Sequence, residues 1–311
     1  MMGKLRVAVL MGGMSNERPV SLKSGAMVAA TLDCAQYDVL PVDFTGDVMQ
    51  IVALHGHVDV VFLALHGTMG EDGRIQGLLD LLGIPYTGSG VLGSALAMHK
   101  GMAKQIYRQC GIPTPESITL SKEDGIAASA ARIAATINPP CVVKPTCEGS
   151  TFGITIVRAE DEWASALDQA FTYGDEVIVE EFVQGVEISV PVLGDPPQAL
   201  PAVEIIPKSG FYDFEMKYTP GATEEICPAR ISPAATERAA MYAVQAHRAL
   251  CCRGVSRTDM IVRGDAPSVL ETNSLPGMTE TSLLPLSARV AGIAFPALLD
   301  RMLRDALGGA R

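Results

Sequence analysis

The sequence predicts an α/β protein of two or three domains, beginning with a small parallel sheet covered by helices. Three observations carry this. The chain has 311 residues, more than a single hydrophobic core usually organises. Its composition, 48% hydrophobic and 19% charged, is that of a folded chain rather than a disordered one. Short apolar, β-branched runs alternate in the first third with stretches of helical period, as strand–loop–helix units do.

Taken in order, Val7-Ala8-Val9-Leu10 reads as a buried strand, Gly12-Gly13 turns the chain, and a helix is expected near Ser21. Val58 to Leu65 is a second apolar strand, again followed by a glycine loop. Ile75, Leu78, Leu79 and Leu82 recur at i, i+3, i+4 and i+7, one face of a helix, and Gly83 stands where a C′ glycine belongs. Gly111-Ile112-Pro113-Thr114-Pro115 reads as a connector. A second unit follows: Cys141 to Lys144 as a strand, Pro145 to Gly153 as a loop of small residues, Ile154 to Val157 as the returning strand, and Val177 to Glu181 as another. Beyond Gln184-Gly185, alternation puts Glu187 and Ser189 on one face and Ile188 and Val190 on the other. Asp259–Val262 and Ser268–Glu271 are strands joined through Gly264-Asp265 as a hairpin. Ser209 to Cys227 is polar, rich in Gly, Pro, Tyr and Thr, and long for a passive link, so it is expected to be an active-site loop.

Lys and Arg number 24 against 35 Asp and Glu, a net charge of −11, which excludes the basic stripe needed to hold nucleic acid. Seven cysteines, an odd count without a C-x-x-C pair, argue against a disulfide framework or a zinc site, and reduced thiols in a cytoplasmic protein are expected. Val7 to Met11 is too short for a signal core or a span, and no apolar run of membrane length occurs elsewhere, so no membrane insertion is expected.

Six residues or groups of residues could carry chemistry. In the loop Lys144 to Gly153, small residues would let backbone N–H groups approach phosphates, with Lys144 as a point charge. It is not a Walker A loop, and alone it is equally an ordinary hairpin. Glu271 and Asn273, two apart, share a face, and Asp259 comes from the partner strand: three hard oxygen donors of the kind Mg²⁺ takes, or the scattered acids of a solvated sheet. Arg257 projects to the same face, either toward an anionic substrate or into a salt bridge with Glu271. Gly277, in Pro276-Gly277-Met278-Thr279, could offer its N–H to an oxyanion or simply turn the chain. His66 lies beyond the carboxyl end of a parallel strand, where ligands sit in such sheets, or is a loop histidine. Glu17 lies beyond another, or is a first-turn glutamate favoured by the helix dipole.

In their order these pieces resemble one family. Gly12-Gly13-x-Ser15-x-Glu17-Arg18-x-Val20-Ser21, Leu65-His66-Gly67, Glu71-Asp72-Gly73 and Tyr86-Thr87-Gly88-Ser89-Gly90 are similar to the N-terminal part of D-alanine–D-alanine ligases, of the ATP-grasp superfamily. Val143-Lys144-Pro145, Glu148-Gly149-Ser150, Phe211-Tyr212-Asp213, Lys217-Tyr218, Arg257-x-Asp259 and Glu271-x-Asn273-x-x-Pro276-Gly277-Met278-Thr279 continue the likeness through nearly the whole chain. Each motif is weak alone; the ordered set is specific.

The resemblance implies an ATP-grasp fold: an N-terminal Rossmann-like substrate domain (1–98), a central α+β ATP-binding domain (99–184) and a C-terminal α+β domain (185–311) with metal and catalytic residues. It implies ATP as co-substrate, with two Mg²⁺ or Mn²⁺ ions on Asp259, Glu271 and Asn273. Lys100, Lys144 and Lys217 would meet the phosphates, Glu180, Glu181 and Val183 the adenine edge, and Glu187 the ribose, with Phe211 also at the nucleotide. Glu17 would take the ammonium of the first D-alanine. His66, Ser282 and Leu283 would hold the second, and Arg257 and the Gly277 N–H would face the tetrahedral oxyanion. Tyr218, reaching Ser150 and Glu17, implies a peptide product rather than a D-alanyl-D-lactate ester; a D-alanine–D-lactate ligase or another ATP-grasp amino-acid ligase is the alternative. A homodimer is also implied. The chain departs from the pattern at His99, where an aspartate is common, at Cys147 and at Phe152.

Overall fold

The computed structural model of the chain describes residues 3–149, 152–207 and 223–308. Among these residues the strands form three sheets. The first has the order β2-β1-β3, from Leu5–Gly12 (β1), Tyr37–Phe44 (β2) and Val60–Leu63 (β3), all parallel. Helix α1 (Arg18–Thr31) begins three residues earlier than Ser21, with Pro19 in its first turn, where a missing N–H costs nothing. Strand β2 was not legible because Pro41 interrupts it; the structure places it on the sheet edge, where proline is tolerated. Helices α2 (Met49–Val52) and α3 (Arg74–Leu81) complete the unit.

Both faces of this sheet are covered, as parallel sheets require. Ala8, Leu10, Val61 and Leu63 pack on Ile75 and Leu79 of α3. Val7, Val9, Val60 and Phe62 pack on Val28 of α1 and on Leu298, Leu299, Met302 and Leu303, which belong to the last helix of the chain. Each such fully buried side chain contributes roughly 1.5–3 kcal/mol. The C-terminus is thus anchored under the first sheet.

Helices α4 (Val91–Met98) and α5 (Lys100–Gln109) lead to a four-stranded sheet of order β4-β7-β5-β6, from Ser117–Ser121 (β4), Cys141–Pro145 (β5), Thr155–Val157 (β6) and Glu176–Glu181 (β7). Helices α6 (Ile126–Ala134) and α7 (Trp163–Ala170) cover one side of it. The third sheet has the order β11-β10-β8-β12-β13 with β9 on β8: Val186–Leu193 (β8), Gln198–Ala199 (β9), Val203–Pro207 (β10), Thr223–Ile226 (β11), Val255–Arg263 (β12) and Ala266–Asn273 (β13). Helix α8 (Pro233–Ala249) lays Ala235, Ala239, Ala243 and Ala246 on this sheet, a small-residue stripe that lets helix and strands approach closely. Helices α9 (Leu283–Val290) and α10 (Phe295–Gly308) close the chain. Among the described residues no single helix is long and apolar enough to cross a membrane.

One expectation needs correction. The segment 209–227 is not loop to its end: Thr223–Ile226 pairs antiparallel with β10, Glu204 opposite Ile226 and Pro207 opposite Thr223. Its polar alternation hid a strand whose partner lies next to the gap. The rest of that segment, with Phe211, Lys217 and Tyr218, lies outside the described residues, as does Ser150.

Candidate active site

The parallel sheet supplies one wall. Gly12 and Gly13, both at positive φ, turn the chain out of β1. The Gly12 N–H donates to Ser21 Oγ, which donates to the Ala64 carbonyl, so the start of α1 is fixed between the ends of β1 and β3. Glu17 therefore stands at the head of α1, yet its side chain makes no capping bond and is buried instead. A Cβ added to Gly67 would lie 3.0 Å from Glu17 Oε2, and one added to Gly149 would lie 2.7 Å away. The carboxylate is thus lodged between a glycine of the first domain's loop and a glycine of the Lys144–Gly153 loop.

His66 follows β3 and is buried, not a surface loop residue. Its Nε2 lies 3.3 Å from Ser24 Oγ and its Nδ1 3.9 Å from Glu71 Oε1. Burial disfavours the imidazolium, but the hydrogen bond and charge of Glu71, with Glu17 beyond, outweigh it and raise the His66 pKa. Glu71 accepts the Gly67 N–H at 2.7 Å, and burial raises its carboxyl against the opposing effect of His66. Glu71 was noticed as part of a motif but was given no role.

The third sheet supplies the opposite wall through register. Asp259 stands directly across from Glu271 and Arg257 across from Asn273, with a bulge after Asp259. Directly opposed residues share a face, so the four functional groups of the two strands converge. Tyr107 Oη on α5 donates to Thr272 Oγ1 at 2.8 Å and braces β13 between Glu271 and Asn273. Arg257 does not bridge to Glu271 as an ion-pair reading would have it. It clamps Asp259, Nε to Oδ1 at 3.0 Å and Nη2 to Oδ2 at 2.8 Å, and Ser189 Oγ donates to the same Oδ1 at 2.6 Å. Glu271 meets Lys100 Nζ at 3.3 Å. Asn273 Oδ1 accepts the Leu275 N–H at 2.8 Å.

Two carboxylates and an amide oxygen on one face fit a hard divalent cation, which takes few protein oxygens and keeps waters. The two carboxylates hold cationic partners, Arg257 and Lys100, in the positions such an ion would compete for. One cavity is lined by Glu17, His66, Arg257, Glu271, Asn273, Gly277, Ser282 and Leu283. A Cβ on Gly277 would lie 2.8 Å from Ser282 Oγ, so a side chain there would require that hydroxyl to shift. Ser282 Oγ accepts the Thr279 N–H at 2.9 Å.

An adjoining cavity runs from Glu71 and Glu271 past Lys100 to Glu148. Lys100 Nζ donates to the Glu148 carbonyl at 2.6 Å, and the Lys100 N–H donates to the Thr146 carbonyl. Lys144 and Glu180 face each other from β5 and β7, Nζ to Oε1 at 2.5 Å. Glu181 is exposed at the end of β7 and Val183 lies just beyond it, half-buried. Glu187 stands on β8 opposite Ile261, on the Ser189 face, close enough to raise the Lys144 pKa after the larger effects of burial, Glu180 and Glu271. A wider cleft of about 280 Å³ lies elsewhere, at His99, Ser121, Asp124 and Glu176. It gathers none of the residues above, and its polar groups are committed: His99 Nε2 pairs with Glu176 at 3.0 Å, and its Nδ1 accepts the Met102 N–H at the start of α5. Of the other departures, Cys147 is exposed and the Phe152 ring packs 6.3 Å from that of Tyr173.

Sequence reasoning missed Lys104, a lysine with no exposure, 2.8 Å from Glu180 Oε2. Its i+4 spacing from Lys100 on α5 was the available signal.

Known proteins resemble the chain along nearly its whole length. Models of the D-ala D-ala ligase N-terminus and C-terminus match residues 47–89 and 106–304. The chain is 50% identical to the D-alanine–D-alanine ligase of Syntrophobacter fumaroxidans over 307 residues, 98% of each chain. It is similar in structure to the D-alanine–D-alanine ligase of Bacillus anthracis complexed with ATP (TM-score 0.84, 34% identity, 98% of each chain). It is similar also to the VanG D-Ala:D-Ser ligase of Enterococcus faecalis (TM-score 0.85, 32% identity, 98% of this chain and 100% of that one).

Proposed function

Because this chain belongs to the D-alanine–D-alanine ligase family, we propose that it joins two D-alanine molecules at the expense of ATP, supplying the dipeptide for peptidoglycan precursors. The observation that carries the reading is the single cavity in which Glu17, Arg257 and Gly277 converge beside Glu271 and Asn273. An ammonium acceptor, an oxyanion-stabilising pair and a metal-ligand pair are the parts that an acyl-phosphate ligation needs.

Glu17, lodged between Gly67 and Gly149, takes the ammonium of the first D-alanine. The carboxylate oxygen of that D-alanine attacks the γ-phosphorus of ATP; the O–P bond forms, ADP leaves, and an acyl phosphate results. The uncharged amine of the second D-alanine attacks the acyl carbon. The resulting oxyanion faces the Arg257 guanidinium and the Gly277 N–H; it collapses as the C–O bond to phosphate breaks, and the surplus proton on nitrogen leaves with the phosphate. His66, Ser282 and Leu283 position the second substrate. Lys100, Lys144 and Lys217 attract the phosphates, Glu180, Glu181, Val183 and Phe211 border the base, and Glu187 faces the ribose. Asp259, Glu271 and Asn273 would hold two Mg²⁺ or Mn²⁺ ions, which would neutralise phosphate charge; in the protein alone Arg257 pairs with Asp259 and Lys100 with Glu271. Ser150 and Tyr218 complete the reading as the group that seals the site for an amine rather than a hydroxyl nucleophile. The segments 1–98, 99–184 and 185–311 serve as three domains and the enzyme works in the cytoplasm as a homodimer in this reading.

Release of phosphate and of D-alanyl-D-alanine is the test, with ATP, Mg²⁺ and D-alanine, and with L-alanine, D-serine and D-lactate in competition. Dipeptide formation strictly dependent on D-alanine is expected. Predominant ester, a D-serine product at equal substrate, or absence of ATP turnover would overturn the assignment.

A further inference from the structure

Lys104, one turn beyond Lys100 on α5, is a lysine with no solvent exposure. A buried ammonium is costly unless paired. Its Nζ lies 2.8 Å from Glu180 Oε2 and donates to Thr114 Oγ1 at 2.8 Å; Thr114 Oγ1 donates in turn to the Val269 carbonyl of β13. The other oxygen of Glu180 is 2.5 Å from Lys144 Nζ. One buried carboxylate is therefore divided between two ammonium groups, one oxygen to each. The three groups in contact, two cations and one anion, sum to one positive charge, while Glu271 and Glu187 act on Lys144 from outside this cluster.

We propose that Lys104 is a positioning residue for nucleotide binding: by occupying half of Glu180 it prevents that carboxylate from neutralising Lys144, and so keeps a net positive charge for the phosphates. The proposal rests on the reading of Lys144 as a phosphate ligand. Without Lys104, Glu180 and Lys144 form a neutral pair, and the electrostatic attraction for an anion falls. A cation at position 104 should therefore keep the affinity, and a neutral side chain of similar size should not.

Proton balance points the same way. Burial lowers the Lys104 pKa to about 8, against the pull of Glu180, with Lys144 and Arg108 lowering it further. The groups facing it do not titrate near there: the Glu180 carboxyl is lowered by its two lysines despite burial, and Lys144, disfavoured by burial, is raised by Glu180, Glu271 and Glu187. Arg108, a turn further along α5, is the other cation acting on it. Raising the pH through about 8 therefore discharges Lys104 before Lys144.

The test is calorimetric binding of a non-hydrolysable ATP analogue with Mg²⁺ to the full chain. Lys104→Met should weaken Kd about tenfold, raise KM for ATP by a similar factor and leave kcat at saturating ATP within about twofold. Lys104→Arg, which keeps a cation beside Glu180, should bind within about threefold of the unmodified protein. The unmodified protein should lose affinity from pH 7 to 9 while Lys104→Arg does not. An unaltered Kd in Lys104→Met, or a Lys104→Arg variant no tighter than it, overturns the proposal. If Lys104→Met does not fold, the pH comparison carries the test, and an equal loss of affinity by Lys104→Arg from pH 7 to 9 is the refuting result. Absence of nucleotide binding by the unmodified protein would instead overturn the ATP reading itself.

Discussion

Arg257→Ala separates catalysis from the scaffold more sharply than any other change. The guanidinium is clamped on Asp259 by two hydrogen bonds at 2.8 and 3.0 Å, and the side chains of the pair are 17% and 13% exposed. The substitution removes two things at once: the cation that faces the developing oxyanion, and the counter-ion of Asp259. Loss of one oxyanion donor costs about 3 kcal/mol of transition-state stabilisation, on the order of a hundredfold in kcat. Loss of the counter-ion leaves a largely buried carboxylate with only the Ser189 hydroxyl, a destabilisation of roughly 1–3 kcal/mol in the apo protein. A divalent cation bound to Asp259 offsets that second loss but not the first. The expected outcome is therefore a Tm lowered without Mg²⁺ and nucleotide and largely restored with them, together with kcat reduced about a hundredfold and KM values changed by less than about fivefold. Steady-state ADP release and thermal unfolding with and without Mg²⁺-nucleotide are the assays. A kcat within threefold of the unmodified enzyme, or a loss confined to KM, would show that Arg257 serves Asp259 and not the oxyanion.

Asp259→Asn and Glu271→Gln are expected to fold yet abolish ligation, because each removes a hard anionic donor from the opposed pair; near-normal turnover with an unaltered Mg²⁺ requirement in either variant would refute the ligand assignment. Gly149→Ala places a Cβ 2.7 Å from Glu17 Oε2, so the carboxylate must shift. KM for the first D-alanine should rise about tenfold or more with the unfolding midpoint nearly unchanged, and an unaltered KM would remove Glu17 from substrate binding. His247, held at 2.7 Å from Ser256 Oγ, has its pKa lowered by burial, and further by Arg248, to about 4. A depressed histidine means that the unfolded chain binds the proton first. Its contribution is complete above about pH 6.5 and is lost as pH falls toward 4, up to ~3 kcal/mol. Stability curves between pH 7 and 4.5 should steepen accordingly and flatten in His247→Asn; equal slopes would contradict the assignment.

Much of the fold was readable because its signals are local. The strands β1, β3, β5, β7, β8, β12 and β13 and helix α3 each announced themselves by a continuous apolar run or a repeating period. Strand β2 was not readable because Pro41 breaks its pattern, and an edge position that excuses the proline is a property of the sheet, not of the segment. Strand β11 was hidden by Glu224 and Glu225 within a polar stretch; only its pairing with β10 makes it a strand. The same division holds in the site. Asp259, Glu271 and Asn273 could be placed on one face from period two and one hairpin turn. Glu71 and Lys104 could not be given roles, since nothing local says that one lies beside His66 or that the other lies beneath Glu180.

The sequence by itself determined the element types, the hairpin that aligns Asp259 with Glu271, and the ordered motifs by which the family is recognised. These depend on side-chain period and on short-range spacing, which a linear chain carries explicitly. Only the tertiary structure decided that Arg257 clamps Asp259 rather than Glu271, that Gly149 closes on Glu17 from a loop far along the chain, and that one buried carboxylate is shared by Lys104 and Lys144. Ion pairing in a dry interior is set by which charges have no water left to turn to, and that depends on how segments far apart in the chain are packed.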